Sequence, residues 1–175
     1  GWRLDVWHAA GGQRDFEGAV GYGWDGRPAP TATVDYLAPA FLEECDRWYG
    51  AVMPVLASRL ATRGGPVTAV QLDNEVGMLA WVSNSPDLTP SSLRDLRAWV
   101  QENRADAADI YPLLDPAEEA WADAVRSPRE QWAGALRIDL SRFMRERFAR
   151  YLEHLRACAE ELGVSGVPFC VNIHG

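Results

Sequence analysis

The sequence predicts an α/β fold with parallel strands, on three observations. Two short runs rich in β-branched and apolar residues, 67–72 and 167–173, read as strands covered on both faces. Elsewhere the apolar residues recur at three- and four-residue spacings, the period of an amphipathic helix. Helices and strands alternate along the chain, and strands separated by helices pair in parallel through right-handed crossovers.

Each element has its own warrant. Residues 1–32 are rich in Gly, Trp and Pro without a sustained period, and read as loop apart from a short strand at 3–7. A helix over 35–63 is predicted by Leu37, Phe41, Trp48, Val52, Val55, Leu56 and Leu60, with Asp35 as a first-turn carboxylate. Pro54 predicts a kink in it, Gly64 and Gly65 stop it, and Pro66 prevents a restart. The first strand follows at once. After a loop at 83–88, Thr89 caps a helix with Pro90 at its first position. Leu93, Leu96, Trp99 and Val100 share its buried face, and it ends near Asn103. Residues 104–128 read as an exposed connection or short helix. A long helix over 129–162 is closed by Gly163 and Gly166, and the second strand tolerates Pro168 only near its beginning.

Composition narrows the function classes. An apolar content of 47% in 175 residues argues for a packed core rather than disorder. The net charge of -8 repels phosphate backbones, and no basic stripe overcomes it, so nucleic acid is excluded as a partner. No apolar run approaches the roughly 20 residues that a bilayer requires, so a membrane is excluded as well. Cys45, Cys158 and Cys170 are widely spaced and odd in number, which predicts buried free thiols and a cytoplasmic setting rather than a disulfide framework. His8, His154 and His174 lack metal-ligand spacing, and no metal is expected.

Chemistry concentrates in residues 64–77, GGPVTAVQLDNEVG, where an apolar strand ends in Gln71, Asp73, Asn74 and Glu75. In parallel α/β folds that end faces the active site, because the loops after the strands converge there. Partial desolvation at such a place raises a carboxyl pKa toward the value that a general acid needs. Asn172 and His174 end the second strand, where the same placement makes them candidates for substrate contact or plain turn residues. Trp81 is a candidate for stacking on a sugar ring or for core packing, whereas Trp48, Trp99 and Trp132 lie on helical apolar faces and read as packing. Asp106, Asp109, Asp115, Glu118, Glu119 and Asp123 read as a solvated face.

The 64–77 stretch resembles that of family 35 glycoside hydrolases, the β-galactosidases, in which a Gly-Gly-Pro turn leads to a strand ending Gln-x-Glu-Asn-Glu-Tyr-Gly. Asp35-Tyr36-Leu37 and Arg47-Trp48-Tyr49 resemble the helix before that strand, and Leu162-Gly163 and Asn172 resemble, more faintly, the helix and strand after it. The wording Gln71-Leu72-Asp73-Asn74-Glu75 is also similar to family 42, of the same clan, and the Gly64-Gly65-Pro66 turn favours family 35. The chain departs from the pattern at Asp73 and Val76, where the family has Glu and Tyr, and residues 1–30 do not match it.

That resemblance implies part of a (β/α)8 TIM barrel, from about the third strand or its helix through the fifth strand. It implies a retaining β-galactosidase-like enzyme acting on a carbohydrate, with no cofactor. Glu75 would be the general acid/base and Asn74 the contact to the sugar's 2-hydroxyl, while the nucleophilic Glu would lie outside this chain. Strict strand alternation would send Asn74 and Glu75 to opposite faces, so a twist or bulge is required there. An incomplete barrel also predicts self-association through uncovered edges. Two readings stay open beside it: a non-catalytic carbohydrate-binding or structural remnant, and another hydrolase of the clan, although those more often follow Asn-Glu with Pro.

Overall fold

The computed structural model describes residues 21–28, 34–77, 86–111 and 118–173. The segment 3–7, Trp81 and His174 lie outside them.

Helix α1 (Pro39–Ala57) opens with proline at its first turn, where an N–H would have no intrahelical acceptor to lose. Its buried face is Phe41, Cys45, Tyr49, Met53 and Ala57, a strict four-residue repeat, and the helix runs through Pro54 without ending there. Val55, expected on the buried face, is 55% exposed. Asp35 is not a first-turn residue either. It precedes the helix, is buried, and accepts from the Leu37 N–H at 3.0 Å.

The helix ends before residue 63 because the chain turns back on itself. Leu60 is extended, a 3-10 turn covers Ala61–Arg63, and Gly64 takes a left-handed φ of 79°. The returning strand segment is then laced to the helix end: the Val67 N–H donates to the Arg59 carbonyl at 3.0 Å, and the Ala61 N–H donates to the Val67 carbonyl at 2.7 Å. This close return explains the second glycine. A Cβ on Gly65 would stand 2.0 Å from the Arg59 carbonyl oxygen.

Strand β1 (Val70–Val76) therefore starts after Val67 and reaches into the polar residues. It pairs in parallel with β2 (Phe169–Ile173). Only its ends, Val70 and Val76, are buried, so the expectation of a strand covered on both faces is not met. Cys170, on β2, is likewise exposed rather than buried, and Cys158 is intermediate.

Helix α2 (Pro90–Asn103) has the predicted bounds, with the Thr89 hydroxyl accepting from the Ser92 N–H at 3.2 Å and Leu93, Leu96, Trp99 and Val100 buried. Of the exposed connection or short helix expected over 104–128, the helical alternative is present at the described residues, though they are not all exposed. They form α3 (Ala107–Ile110) and α4 (Glu118–Arg126), and deliver Tyr111 and Trp121 into a core. Helix α5 (Glu130–Glu161) is 32 residues long, or about 48 Å at 1.5 Å per residue.

Two cores result. One joins α1, β1 and the C-terminal half of α5 through residues such as Met53, Leu60, Val70, Tyr151 and Leu155. The other joins α2, α3, α4 and the N-terminal half of α5 through Leu96, Val100, Trp121, Trp132 and Leu136. The expected segment of a (β/α)8 barrel is accordingly corrected: the described sheet has two strands, and the described residues are mostly helical. A barrel crossover is one helix lying on the sheet, whereas among the described residues four helices lie between β1 and β2 and bury their apolar faces largely on one another. Residues 21–28 contribute an isolated antiparallel bridge, Tyr22 to Pro28, and no further parallel strand. Parallel pairing across intervening helices is the part of the expectation that is present.

The two cores meet at Arg147 on α5. Its guanidinium donates to Asp35 and, at 2.7 Å, to Asp95 of α2. Asp35 also accepts from the hydroxyls of Thr89 and Ser91, each at 3.0 Å. Nearby Asp87 accepts from the N–H groups of Tyr22 at 3.0 Å and Thr89 at 3.2 Å. Burial raises the Asp87 pKa to about 7. The Asp35 charge adds to that rise, while the two N–H donors and Arg147 oppose it.

Gly65→Ala should cost about 2 kcal/mol or more, because the obstacle is backbone, and Gly64→Ala about 1 kcal/mol for its left-handed φ; Gly50→Ala, at a helical position with open space, should stabilise by about 0.5–1 kcal/mol. Thermal melts of the three variants check that order. Asp87 has a folded pKa above its unfolded value of about 3.9, so its contribution is complete below about pH 4 and is lost as pH rises toward about 7. Asp87→Asn keeps the acceptor oxygen without the charge, and its Tm should gain on the parent's progressively across that interval.

Candidate active site at the carboxyl end of the paired strands

The strand pairing is irregular where the polar residues lie. Gln71 pairs with Cys170, Asn74 with Asn172 and Val76 with Ile173, so three steps on β1 match two on β2 and the next two match one. β1 carries an extra residue twice, the signature of a bulge. Glu75 has φ 58°, making it left-handed without being glycine. The expected break in alternation is thus present, and it removes the constraint that would place Asn74 and Glu75 on opposite faces.

Side-chain amides brace this bulge. Asn172 Oδ1 accepts from the Glu75 N–H at 3.1 Å, which fixes that atom as oxygen, since a backbone N–H can only donate. The same oxygen takes a second donor, Gln71 Nε2, at 2.9 Å. Gln71 Nε2 also reaches the Asp73 carbonyl at 3.0 Å and Asn74 Oδ1 at 3.3 Å, so three acceptors share two hydrogens. Residues from both strands therefore converge on the Glu75 backbone. Glu75 itself is partly buried and Asn74 exposed, and among the described residues nothing donates to the Glu75 carboxylate.

Tyrosines from beneath hold the neighbouring backbone. The Tyr49 hydroxyl of α1 donates to the Leu72 carbonyl at 2.6 Å, and the Tyr151 hydroxyl of α5 donates to Asp73 Oδ2 at 2.9 Å. The Gly77 N–H donates to the Tyr36 hydroxyl at 3.4 Å. Asp73 Oδ1 accepts from the Asn74 N–H at 2.7 Å. Burial, with the Asp73 charge next, raises both Tyr49 and Tyr151 well above the usual phenol range, so they stay protonated donors. Burial likewise lifts the Cys45 thiol to about 12; a Tyr151 hydrogen bond opposes the rise and Asp73 adds to it. At neutral pH that thiol is no nucleophile.

Of the residues singled out in the sequence, Asn74, Glu75 and Asn172 come together here. Asn172 appears as a brace on Glu75, a role the sequence reading did not give it. Trp81 and His174 fall outside the described residues. Asp106, Asp109 and Asp123 are exposed, as a solvated face requires. The bracing Gln71 and the tyrosines Tyr36, Tyr49 and Tyr151 were missed as site residues. A signal existed: Tyr49 and Tyr151 fall on helical apolar faces, and a buried tyrosine hydroxyl needs a polar partner, which the strand end supplies. No group of three or more potential metal ligands occurs among the described residues.

No protein-family model matches this sequence. It is 24% identical over 150 residues to a beta-1,2-glucosyltransferase of Ignavibacterium album, a match taking in 81% of this chain and 20% of that protein. It is 45% identical over 42 residues to the exo-beta-D-glucosaminidase of Thermococcus kodakarensis, covering 24% of this chain and 5% of that one. It is 38% identical over 48 residues to beta-galactosidase 8 of Oryza sativa subsp. japonica, covering 27% and 7%. This chain is similar to carbohydrate-active enzymes. The similarity does not single out β-galactosidases, and it spans a fifth or less of each relative's length.

A left-handed non-glycine residue costs about 1 kcal/mol, and such strain gathers at functional sites. Glu75→Gly should therefore raise stability by about 0.5–1 kcal/mol, whereas Glu75→Gln should leave it unchanged. Denaturant unfolding of both variants tests this, and a loss of stability in Glu75→Gly would show that the side chain, not the backbone, is what matters there.

Proposed function

We propose that this chain carries the acid/base part of a site that cleaves β-glycosidic bonds with retention, in the manner of a family 35 β-galactosidase. Glu75 protonates the glycosidic oxygen as the bond breaks, then deprotonates the incoming water. Asn74 hydrogen-bonds the 2-hydroxyl of the sugar, an interaction that strengthens as the ring approaches an oxocarbenium ion. The observation that carries this reading is the braced, strained Asn74-Glu75 pair at the carboxyl end of two parallel strands.

A retaining mechanism needs a second carboxylate about 5–5.5 Å from the first. Asp73 is a poor candidate, since Tyr151 and the Asn74 N–H already hold its two oxygens. The proposal therefore assigns the nucleophile to a glutamate outside these 175 residues. The substrate is a carbohydrate, and no cofactor takes part.

One observation favours a second outcome for the same chemistry. The match covering 81% of this chain is to a glucosyltransferase. A glycosyl-enzyme intermediate passes its sugar to water or to a hydroxyl of another sugar through the same acid/base residue, so hydrolysis and transfer differ only in the acceptor.

The test is turnover by the complete protein beside Glu75→Gln, with two β-glycosides of unequal leaving groups. With a poor leaving group kcat/KM should fall about 10²–10⁴-fold, and with an activated aryl leaving group much less, because only the former needs the proton. Equal activity of parent and variant on the poor leaving group would remove Glu75 from the role.

A further inference from the structure

Between α2 and α4 lies a cavity of 640 Å³, near the middle of the roughly 300–1,000 Å³ range of small-ligand pockets. Arg94, Arg97 and Gln101 line it from α2, and Asp123 and Arg126 from α4. Spacings of three and four residues put the first three on one side of α2, and the three-residue step from Asp123 to Arg126 does the same on α4. Three guanidiniums thus stand with one carboxylate, on a chain whose net charge is -8. Arginine stays charged at any physiological pH, so this local excess is permanent.

Arg126 is the anomaly among them. Its Nε is buried and has no hydrogen-bond partner, and among the described residues no carboxylate pairs with its guanidinium. The group is nevertheless confined. Gly26 has a left-handed φ of 70°, and the guanidinium lies 2.9 Å from where a Cβ on that residue would be, so the turn closes on Arg126 because the residue is glycine. Arg94, exposed on α2, likewise has no partner among the described residues. A buried donor on a cation is costly to leave unpaired, and such an orphan in a cavity wall calls for an acceptor from outside the chain.

We infer that this cavity binds an anionic sugar, with its phosphate or carboxylate on the guanidiniums of Arg94 and Arg126 and its hydroxyls on Asp123 and Gln101. A guanidinium presents a planar fork of N–H donors that matches either anion bidentately. Asp123 repels an anion but accepts from a hydroxyl, and the Gln101 amide both donates and accepts. That pair suits a polyhydroxylated anion over a bare one. The lining comes from helices, with no residue of β1 or β2, so the inference stands apart from the role of Glu75.

Calorimetric titration of the complete protein tests this with four probes: glucose, glucose 6-phosphate, glucuronate and inorganic phosphate. At least one of the two anionic sugars should bind about tenfold more tightly than both glucose and inorganic phosphate, and which of them does so identifies the anion. Arg126→Met keeps the aliphatic stem, and Arg94→Met changes an exposed position without disturbing the fold. Each should weaken the anionic sugar about tenfold and leave glucose unchanged. Anionic sugars that bind no tighter than glucose, or no tighter than inorganic phosphate, overturn the inference. So does an affinity that either substitution leaves unchanged.

Discussion

Arg147 sits where α5 passes from one core to the other, and its guanidinium draws together segments that lie far apart in sequence, Asp35 before α1 and Asp95 on α2. Burying such a charge costs several kcal/mol unless the geometry satisfies it. Here the remaining acceptor capacity of Asp35 is taken up by the Leu37 N–H and the hydroxyls of Thr89 and Ser91. The polar set is closed on the Asp35 side, and it fixes the start of α1, the cap of α2 and the middle of α5 relative to one another. Because Tyr36 follows Asp35 directly, that fixing extends to Gly77 and hence to the end of β1.

Above this anchor the candidate site is built from backbone held by side chains. Leu72, Asp73, Glu75 and Gly77 each have a backbone or carboxylate group gripped by a tyrosine or an amide. Such bracing lets a residue with a left-handed φ persist, since the surrounding contacts offset its local cost. It also leaves the Glu75 side chain uncommitted among the described residues.

Much of this was legible in the sequence where one local rule decided the outcome. Thr89-Pro90 set the start of α2, the four-residue apolar repeats set α5, and the adjacency of Asn74 and Glu75 in an apparent strand required a bulge that is there. Failures came where tertiary contacts overrode local pattern. Asp35 has the position of a helix-dipole carboxylate, yet its partner Arg147 lies 112 residues away, which no local signal reports. Residues 104–126 are acidic enough to look solvated, but Tyr111, Trp121, Ala124 and Val125 bury the opposite side. That hidden face makes the expected exposed connection or short helix part of a second core, and with it the barrel expectation failed. Of the candidate site, Asn74 and Glu75 stand out in the motif; the tyrosines and Asn172 that support their backbone depend on which helices come to lie beneath the strands.

Helix α5 belongs to both cores, and this bears on how the molecule comes apart. Neither core holds its full set of apolar contacts unless the same 32-residue helix is continuous through Arg147. Fraying from one end removes Trp132, Leu136 and Leu140 from the helical cluster, and from the other removes Tyr151 and Leu155 from the sheet side. The two halves therefore share a single unfolding unit, and slow amide exchange should extend along the middle of α5 into β1 without a boundary at the junction. A lesion in the helical cluster would be felt at the strand ends as lost cooperativity long before any contact there was broken.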